Sequence, residues 1–115
     1  MKKLTENVYF VEHKKLKISE KDQQRIANKI QEKIEESEKF KFNRSLKNEK
    51  IKLTINNSVS RIGLAKLRYS KCRSVYHLSM EINISAFNED PDYIIEKIVP
   101  HEVAHLICFI NYTLL

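Results

Sequence analysis

Apolar residues recur at helical spacing in one stretch near the start of the chain. Between Ser19 and Phe40 the isoleucines fall four positions apart, which places them on one face of a helix. Ser19 is a residue type that caps a first turn, and Asp22 follows it as a variant of the capping box. The pattern predicts a helix over Ser19–Phe40 with a buried stripe made of Ile26, Ala27, Ile30 and Ile34.

Alternation of apolar and polar residues predicts strands in the middle of the chain. Ile51–Ile55 and Val75–Ser85 alternate, Arg61–Tyr69 is also predicted to be a strand, and Val8–Val11 suits a short strand or a packing arm. In the third of these stretches the predicted inward residues are Tyr76, Leu78, Met80, Ile82 and Ile84, and the predicted outward ones are His77, Ser79, Glu81, Asn83 and Ser85. The predicted fold class is therefore α+β: an N-terminal helix, about three antiparallel strands, then a further helix.

That further helix is predicted to begin at Asp90, an N-cap residue type followed by Pro91 at the first helical position. At about 100° per residue, apolar residues fall on both of its sides. One side holds Ile94, Ile98, His101, His105 and Cys108, and the other holds Val99, Val103, Leu106 and Ile110. This predicts a buried central helix. Pro100 cannot donate a hydrogen bond, so either the helix kinks there or a second helix begins with Pro100 in its first turn.

The motif H-E-x-x-H occupies His101–His105 and is the helical zinc motif of metallopeptidases. Four residues make about one helical turn, so the imidazoles of His101 and His105 project from one face and can share one metal ion. Glu102 can reach a water molecule at that metal as general base. The spacing predicts zinc on the two histidines and Glu102 as the catalytic residue. The alternative is a buried helix whose histidines bond to backbone groups.

A catalytic zinc ion normally takes three protein ligands, and the sequence offers no obvious third. Cys108 lies one turn past His105, but too far from the expected metal position, and is predicted to be a buried thiol. Four further candidates are left unassigned as ligands: His13, His77, Glu81 and Tyr112.

Gly63 is the only glycine in the chain, and it lies inside a predicted strand. A glycine there indicates either a close approach of another backbone or a β-bulge. Because Gly63 and Ala65 face the same side, they leave a shallow place against which the motif helix could pack.

Three segments together resemble a known family: Gly63–Ala65, the strand ending in Ile82–Ser85, and Val99–Leu106. In this order they are similar to the core of SprT-like zinc metallopeptidases, which include the Spartan-type proteases of DNA–protein crosslink repair. The resemblance implies a zincin-like fold, zinc on His101 and His105, and Glu102 as general base. It also implies a protein or peptide substrate.

The chain departs from that family at its end. Family members carry a third zinc-binding histidine a dozen or more residues after the second, and many continue into a zinc ribbon. Residues 1–115 are therefore expected to form a single SprT-like domain that is incomplete at its C-terminus, with weak or absent zinc binding.

The net charge of +6 is unevenly distributed. Residues 1–73 hold 20 Lys and Arg against 9 Asp and Glu, a net +11, whereas residues 74–115 hold 1 against 6, a net −5. A basic half of this kind attracts nucleic acid through its phosphates, although an ordinary solvated surface has the same composition. DNA is therefore a candidate partner for residues 1–73.

The chain is expected to be cytoplasmic and to make no membrane contact. Met1–Asn7 lacks the apolar core of a signal peptide, and the longest apolar run, Leu106–Ile110, is too short to cross a membrane. Cys72 and Cys108 are expected to be free thiols.

Two functional hypotheses follow. The first is a SprT-like zinc peptidase impaired by truncation. The second is a non-catalytic basic module that binds nucleic acid or protein. The intact Glu102 favours the first, and the missing third ligand favours the second.

Overall fold

The structure, a computed structural model, describes residues 1–57, 62–70 and 75–113. Within these residues five strands are formed: β1 Lys2–Lys3, β2 Val8–Phe10, β3 Ile51–Asn56, β4 Gly63–Ser70 and β5 Val75–Asn83. The α-helices are α1 Glu20–Ser37, α2 Ile84–Glu89, α3 Pro91–Tyr93 and α4 Val99–Cys108. A 3₁₀ turn covers Leu46–Asn48, and π-helical segments cover Ile94–Ile98 and Phe109–Thr113. Within the described ranges, no helix has the length and apolar character needed to cross a membrane.

The sheet confirms the α+β class but corrects the predicted topology. Its order is β1-β2-β3-β5-β4, with β2 and β5 both parallel to β3, and the remaining pairs antiparallel. The prediction of about three antiparallel strands is therefore wrong. β1 and β2 are too short to show alternation, and β5 inserts between β3 and β4, an arrangement that the order of strands along the chain does not reveal.

Helix α1 confirms the N-terminal prediction. The Ser19 hydroxyl accepts a hydrogen bond from the Asp22 N–H at 3.1 Å, and the helix ends at Ser37, three residues before the predicted end. Its predicted stripe is fully buried and belongs to the same hydrophobic cluster as Phe10, Leu53 and Met80.

Strand β5 ends at Asn83 rather than at Ser85. The Asn83 side chain accepts a hydrogen bond from the Ala86 N–H at 3.0 Å, which turns the chain into α2. Asn83 is only 7% exposed, so its predicted outward position is wrong. The inward residues Leu78, Met80 and Ile82 are buried as predicted. Arg61, Cys72 and the side chain of Tyr76 lie outside the described part of the chain.

The C-terminal helical run begins as predicted and then changes pitch. Asp90 accepts a hydrogen bond from the Tyr93 N–H at 3.2 Å, with Pro91 in the first turn. A π-helical segment follows, in which the Val99 N–H bonds to the Ile94 carbonyl five residues back. Pro100 then lies in the first turn of α4, so a new helical segment begins there, as the second alternative predicted.

Helix α4 is buried on one side only, which corrects the prediction of burial all round. Val99, Val103 and Leu106 are at most 2% exposed, whereas the face with the two histidines is open to solvent. Ile94, which a constant rotation places beside His101, is only 1% exposed, and the π-helical segment Ile94–Ile98 turns by less than 100° per residue because its hydrogen bonds span five residues. A uniform 100° per residue therefore assigned it to the wrong face. Cys108 is exposed as well, as a free thiol, and is not the predicted buried one.

Gly63 lies where α4 approaches β4. The β4–β5 register runs without interruption from Gly63–Ile82 to Ser70–Val75, so the β-bulge alternative is wrong. A Cβ at position 63 would lie 2.7 Å from Ile98 Cγ2 and 3.5 Å from Glu102 Cγ. The close-approach alternative is confirmed.

Replacing Gly63 with alanine should therefore loosen this contact. We expect Gly63→Ala to lower the free energy of unfolding by about 1–3 kcal/mol, because the added methyl group overpacks against Ile98. The double variant Gly63→Ala with Ile98→Leu, which removes the branched Cγ2, should recover part of the loss in urea unfolding. Equal stability of wild type and Gly63→Ala would contradict the close approach.

Candidate metal centre

The two motif histidines point at a common position. Their Nε2 atoms are 3.0 Å apart, and their rings lie at 83° with centroids 4.6 Å apart. One helical turn separates them, so the convergence follows from their four-residue spacing. Without a metal, this is the distance of a hydrogen bond between a ring N–H and an unprotonated ring nitrogen.

The separation also suits a shared metal ion. Two imidazole nitrogens bound to one tetrahedral zinc at about 2.0–2.1 Å lie about 3.3 Å apart. The observed 3.0 Å needs only a small adjustment of two exposed side chains to match it. The residues present therefore fit two of the protein ligands of a zinc ion, and an ion can reach them directly from solvent.

Phe109 supports the second histidine. Its ring stacks on that of His105 with centroids 6.1 Å apart and planes inclined by 23°. Phe109 is the first residue of the final π-helical segment and is half-buried against the core. This contact was not predicted from the sequence, although the i, i+4 spacing of His105 and Phe109 could have indicated it.

Glu102 lies about 100° round the helix from His101 and points into the contact between helix and sheet. It is 8% exposed, and its Oε1 accepts a hydrogen bond from the Ala65 N–H at 3.1 Å. No Lys or Arg of the described residues forms an ion pair with it. The carboxylate is therefore held by a backbone amide of β4. A backbone partner leaves no trace in the pattern of side chains, so the sequence could not reveal it.

That amide belongs to the free edge of the sheet. The Asn83 N–H donates to the Ile62 carbonyl at 2.9 Å, which marks the two residues as a hydrogen-bonded pair. Such pairs alternate with non-hydrogen-bonded ones in an antiparallel ladder, so Gly63, Ala65 and Leu67 direct their N–H and C=O groups away from β5. Because β4 is the last strand, these groups face the outer edge, where Glu102 takes one of them.

No third ligand joins the pair in the part of the chain that the structure describes. No group of three or more His, Cys, Asp or Glu residues there is arranged to hold a metal ion. His13 accepts hydrogen bonds from the N–H groups of Lys15 and Leu16, and Glu81 binds Lys66 and Asn56. Both side chains thus have other partners, and the assignment of zinc to His101 and His105 stays a prediction.

Comparison with known proteins gives one match. The model of the SprT-like family matches residues 30–113, well over half of the chain, and the match includes β3, β4, β5 and the whole motif helix. No curated protein and no solved structure shows significant similarity to the chain.

The geometry predicts a single zinc ion held weakly by two imidazoles. Titration calorimetry on residues 1–115 should give one low-affinity site that chelator empties readily. His101→Ala or His105→Ala should each weaken zinc binding about tenfold or more, because one of two protein ligands is lost.

His77→Ala and His13→Ala are the matched controls and should bind zinc like the wild type. Tight stoichiometric zinc that His77→Ala abolishes would show that a third ligand has been missed. Unchanged binding in the double variant His101→Ala, His105→Ala would place the metal elsewhere.

Proposed function

The chain belongs to the SprT-like family, and from this premise we propose that it is a zinc-dependent metallopeptidase that hydrolyses peptide bonds. His101 and His105 are the proposed metal ligands, and Glu102 is the proposed general base. The observation that carries the proposal is the convergence of the two Nε2 atoms to 3.0 Å on the same helical turn as a buried carboxylate held in place. The mixed sheet beside this helix supports a zincin-like fold.

Zinc, when bound, would polarise the scissile carbonyl and make an attacking water molecule more acidic. The two histidines would hold it with their Nε2 atoms, and the Phe109 ring would keep the His105 imidazole in orientation. These roles require only side chains that one helix presents on its exposed face.

Glu102 would take the proton from the attacking water and pass it to the leaving amine. The hydrogen bond from Ala65 to Oε1 holds the carboxylate in one orientation, so that Oε2 is the atom proposed to carry the proton. Gly63 lies beside this side chain: a Cβ there would be in ordinary van der Waals contact with it, 3.5 Å from Cγ and 3.7 Å from Oε2. A general base held this way loses little conformational entropy in the reaction.

The substrate is proposed to be an extended polypeptide lying along β4. The outward N–H and C=O groups of Gly63 and Leu67, with the Ala65 carbonyl, are suited to pair with a peptide backbone added as a further strand. Such backbone pairing selects extended chains rather than particular side chains. A cytoplasmic role in DNA–protein crosslink repair is part of the proposal on the strength of the family resemblance alone.

The second candidate is a non-catalytic basic module. The exposure of both histidines and the lack of a third ligand in the described ranges favour it. The two candidates differ in what a supplied third histidine would do. It would create a peptidase under the first and would leave an inactive protein under the second.

The decisive variant is Glu102→Gln in a chain extended by a downstream segment that contains a histidine. The extension should raise both zinc affinity and hydrolysis of an unfolded protein substrate such as casein. Glu102→Gln should then lower the rate about a hundredfold or more, because general-base catalysis is lost, while zinc content stays the same.

Glu89→Gln, which alters an exposed carboxylate outside the motif, is the matched control and should keep full activity. Equal rates for Glu102→Gln and the wild type would refute the general-base role. A fully zinc-loaded extended chain without hydrolysis would refute the peptidase and favour the basic module.

A further inference from the structure

Exposed phenylalanines alternate with lysines in the segment that follows α1. We name Lys39–Arg44 the aromatic–basic loop. Phe40 is 67% exposed and Phe42 37%, and their ring centroids lie 6.1 Å apart with the planes tilted by 52°. Lys39 and Lys41 alternate with them along the chain. Neighbouring exposed apolar side chains with polar residues around them are typical of an interaction surface.

The loop is held in a defined conformation. Asn111, 4% exposed, accepts a hydrogen bond from the Arg44 N–H at 2.9 Å and donates one to the Arg44 carbonyl at 3.1 Å. The Phe42 N–H bonds to the Phe40 carbonyl, and the Ser45 side chain caps the next turn by accepting from the Lys47 N–H. The loop is therefore tied at its end to the helical run that carries the motif histidines.

The charges of the loop are open to a ligand. Lys39 and Lys41 are exposed, and neither forms an ion pair with an acidic side chain of the described residues. By contrast, the nearby Lys33 and Lys47 pair with Glu36 and Glu35. The loop therefore combines two aromatic faces with two uncompensated positive charges.

We propose that the aromatic–basic loop binds single-stranded nucleic acid. Bases stack on aromatic rings, and backbone phosphates pair with adjacent lysines, which is how single strands are bound without sequence preference. A duplex keeps its bases stacked on one another and cannot offer them to the rings. Phe40 and Phe42 lie beside Leu46 and Ile107 at a small depression that Glu38 and Arg44 also line, so a base would stack on the exposed parts of the rings rather than enter a cavity. The proposal does not depend on the metal site.

The test uses fluorescence anisotropy with labelled oligothymidylate, oligouridylate and a hairpin duplex at low salt. Phe40→Ala with Phe42→Ala should weaken single-strand binding about fivefold or more for each ring lost. Lys39→Gln with Lys41→Gln should reduce the slope of log affinity against log salt by about 1.4, since two phosphate contacts disappear. Comparison of oligothymidylate with oligouridylate shows whether the loop prefers DNA or RNA.

Matched controls exist on the same chain. Lys14→Gln with Lys15→Gln removes two exposed lysines elsewhere, and Tyr93→Ala removes an aromatic side chain that is 48% exposed. Both should bind within about twofold of the wild type if the loop is the stacking site. Because the chain has no tryptophan, Phe40→Trp adds a single reporter whose fluorescence should be quenched by a stacked base.

Four results would overturn the proposal. One is no single-strand binding at low salt, and another is equal loss of affinity in the control and loop variants. The third is preferential binding to phosphatidylserine vesicles that the Phe40→Ala, Phe42→Ala variant abolishes, which would make the loop a lipid contact. An unquenched Phe40→Trp under saturating oligothymidylate would also exclude stacking at this position.

Discussion

The arrangement of the site depends on how closely one helix approaches the edge of a sheet. A side chain at position 63 would lie 2.7 Å from Ile98, a separation that real Cβ atoms do not adopt. Glycine permits the approach, and the approach brings Glu102 within 3.1 Å of the Ala65 N–H. Once that side of the helix is turned to the strand, helical geometry directs His101 and His105 away from it, into solvent.

Much of the fold and of the candidate site could be predicted from local patterns in the sequence. The α1 stripe, its Ser19 cap, the Asp90 cap and the role of Gly63 rest on interactions between residues close in sequence or on a steric requirement of one position. Interactions of this kind can be predicted from the residue types and their spacing alone. The spacing of the H-E-x-x-H motif likewise predicts the convergence of two imidazoles, which the structure contains.

The predictions that were wrong, and the contacts that were not predicted, also have specific physical causes. Alternation predicts that β3 and β5 are strands, but not that they pair in parallel. Which strands pair depends on the path of the segments that connect them, and alternation within a strand carries no information about that path. The π-helical turn at Ile94–Ile98 changes the angle per residue, so a face assigned by constant rotation was wrong for Ile94. The amide of Ala65 and the clamp of Asn111 on Arg44 use backbone atoms, which every residue possesses and no pattern distinguishes.

The stability of the fold and the proposed chemistry favour different residues at position 102. Burying a carboxylate costs free energy unless it is well paired. Here a backbone amide donates a hydrogen bond to it, and the other buried positions of α4 are the apolar residues Val99, Val103 and Leu106. An apolar residue would suit the packing against β4 better. Sites that break a local rule in an otherwise consistent sequence are the expected places for function. The same turn exposes two imidazoles that add nothing to the core, so this short stretch of helix is explained by the chemistry of its side chains rather than by the stability of the fold.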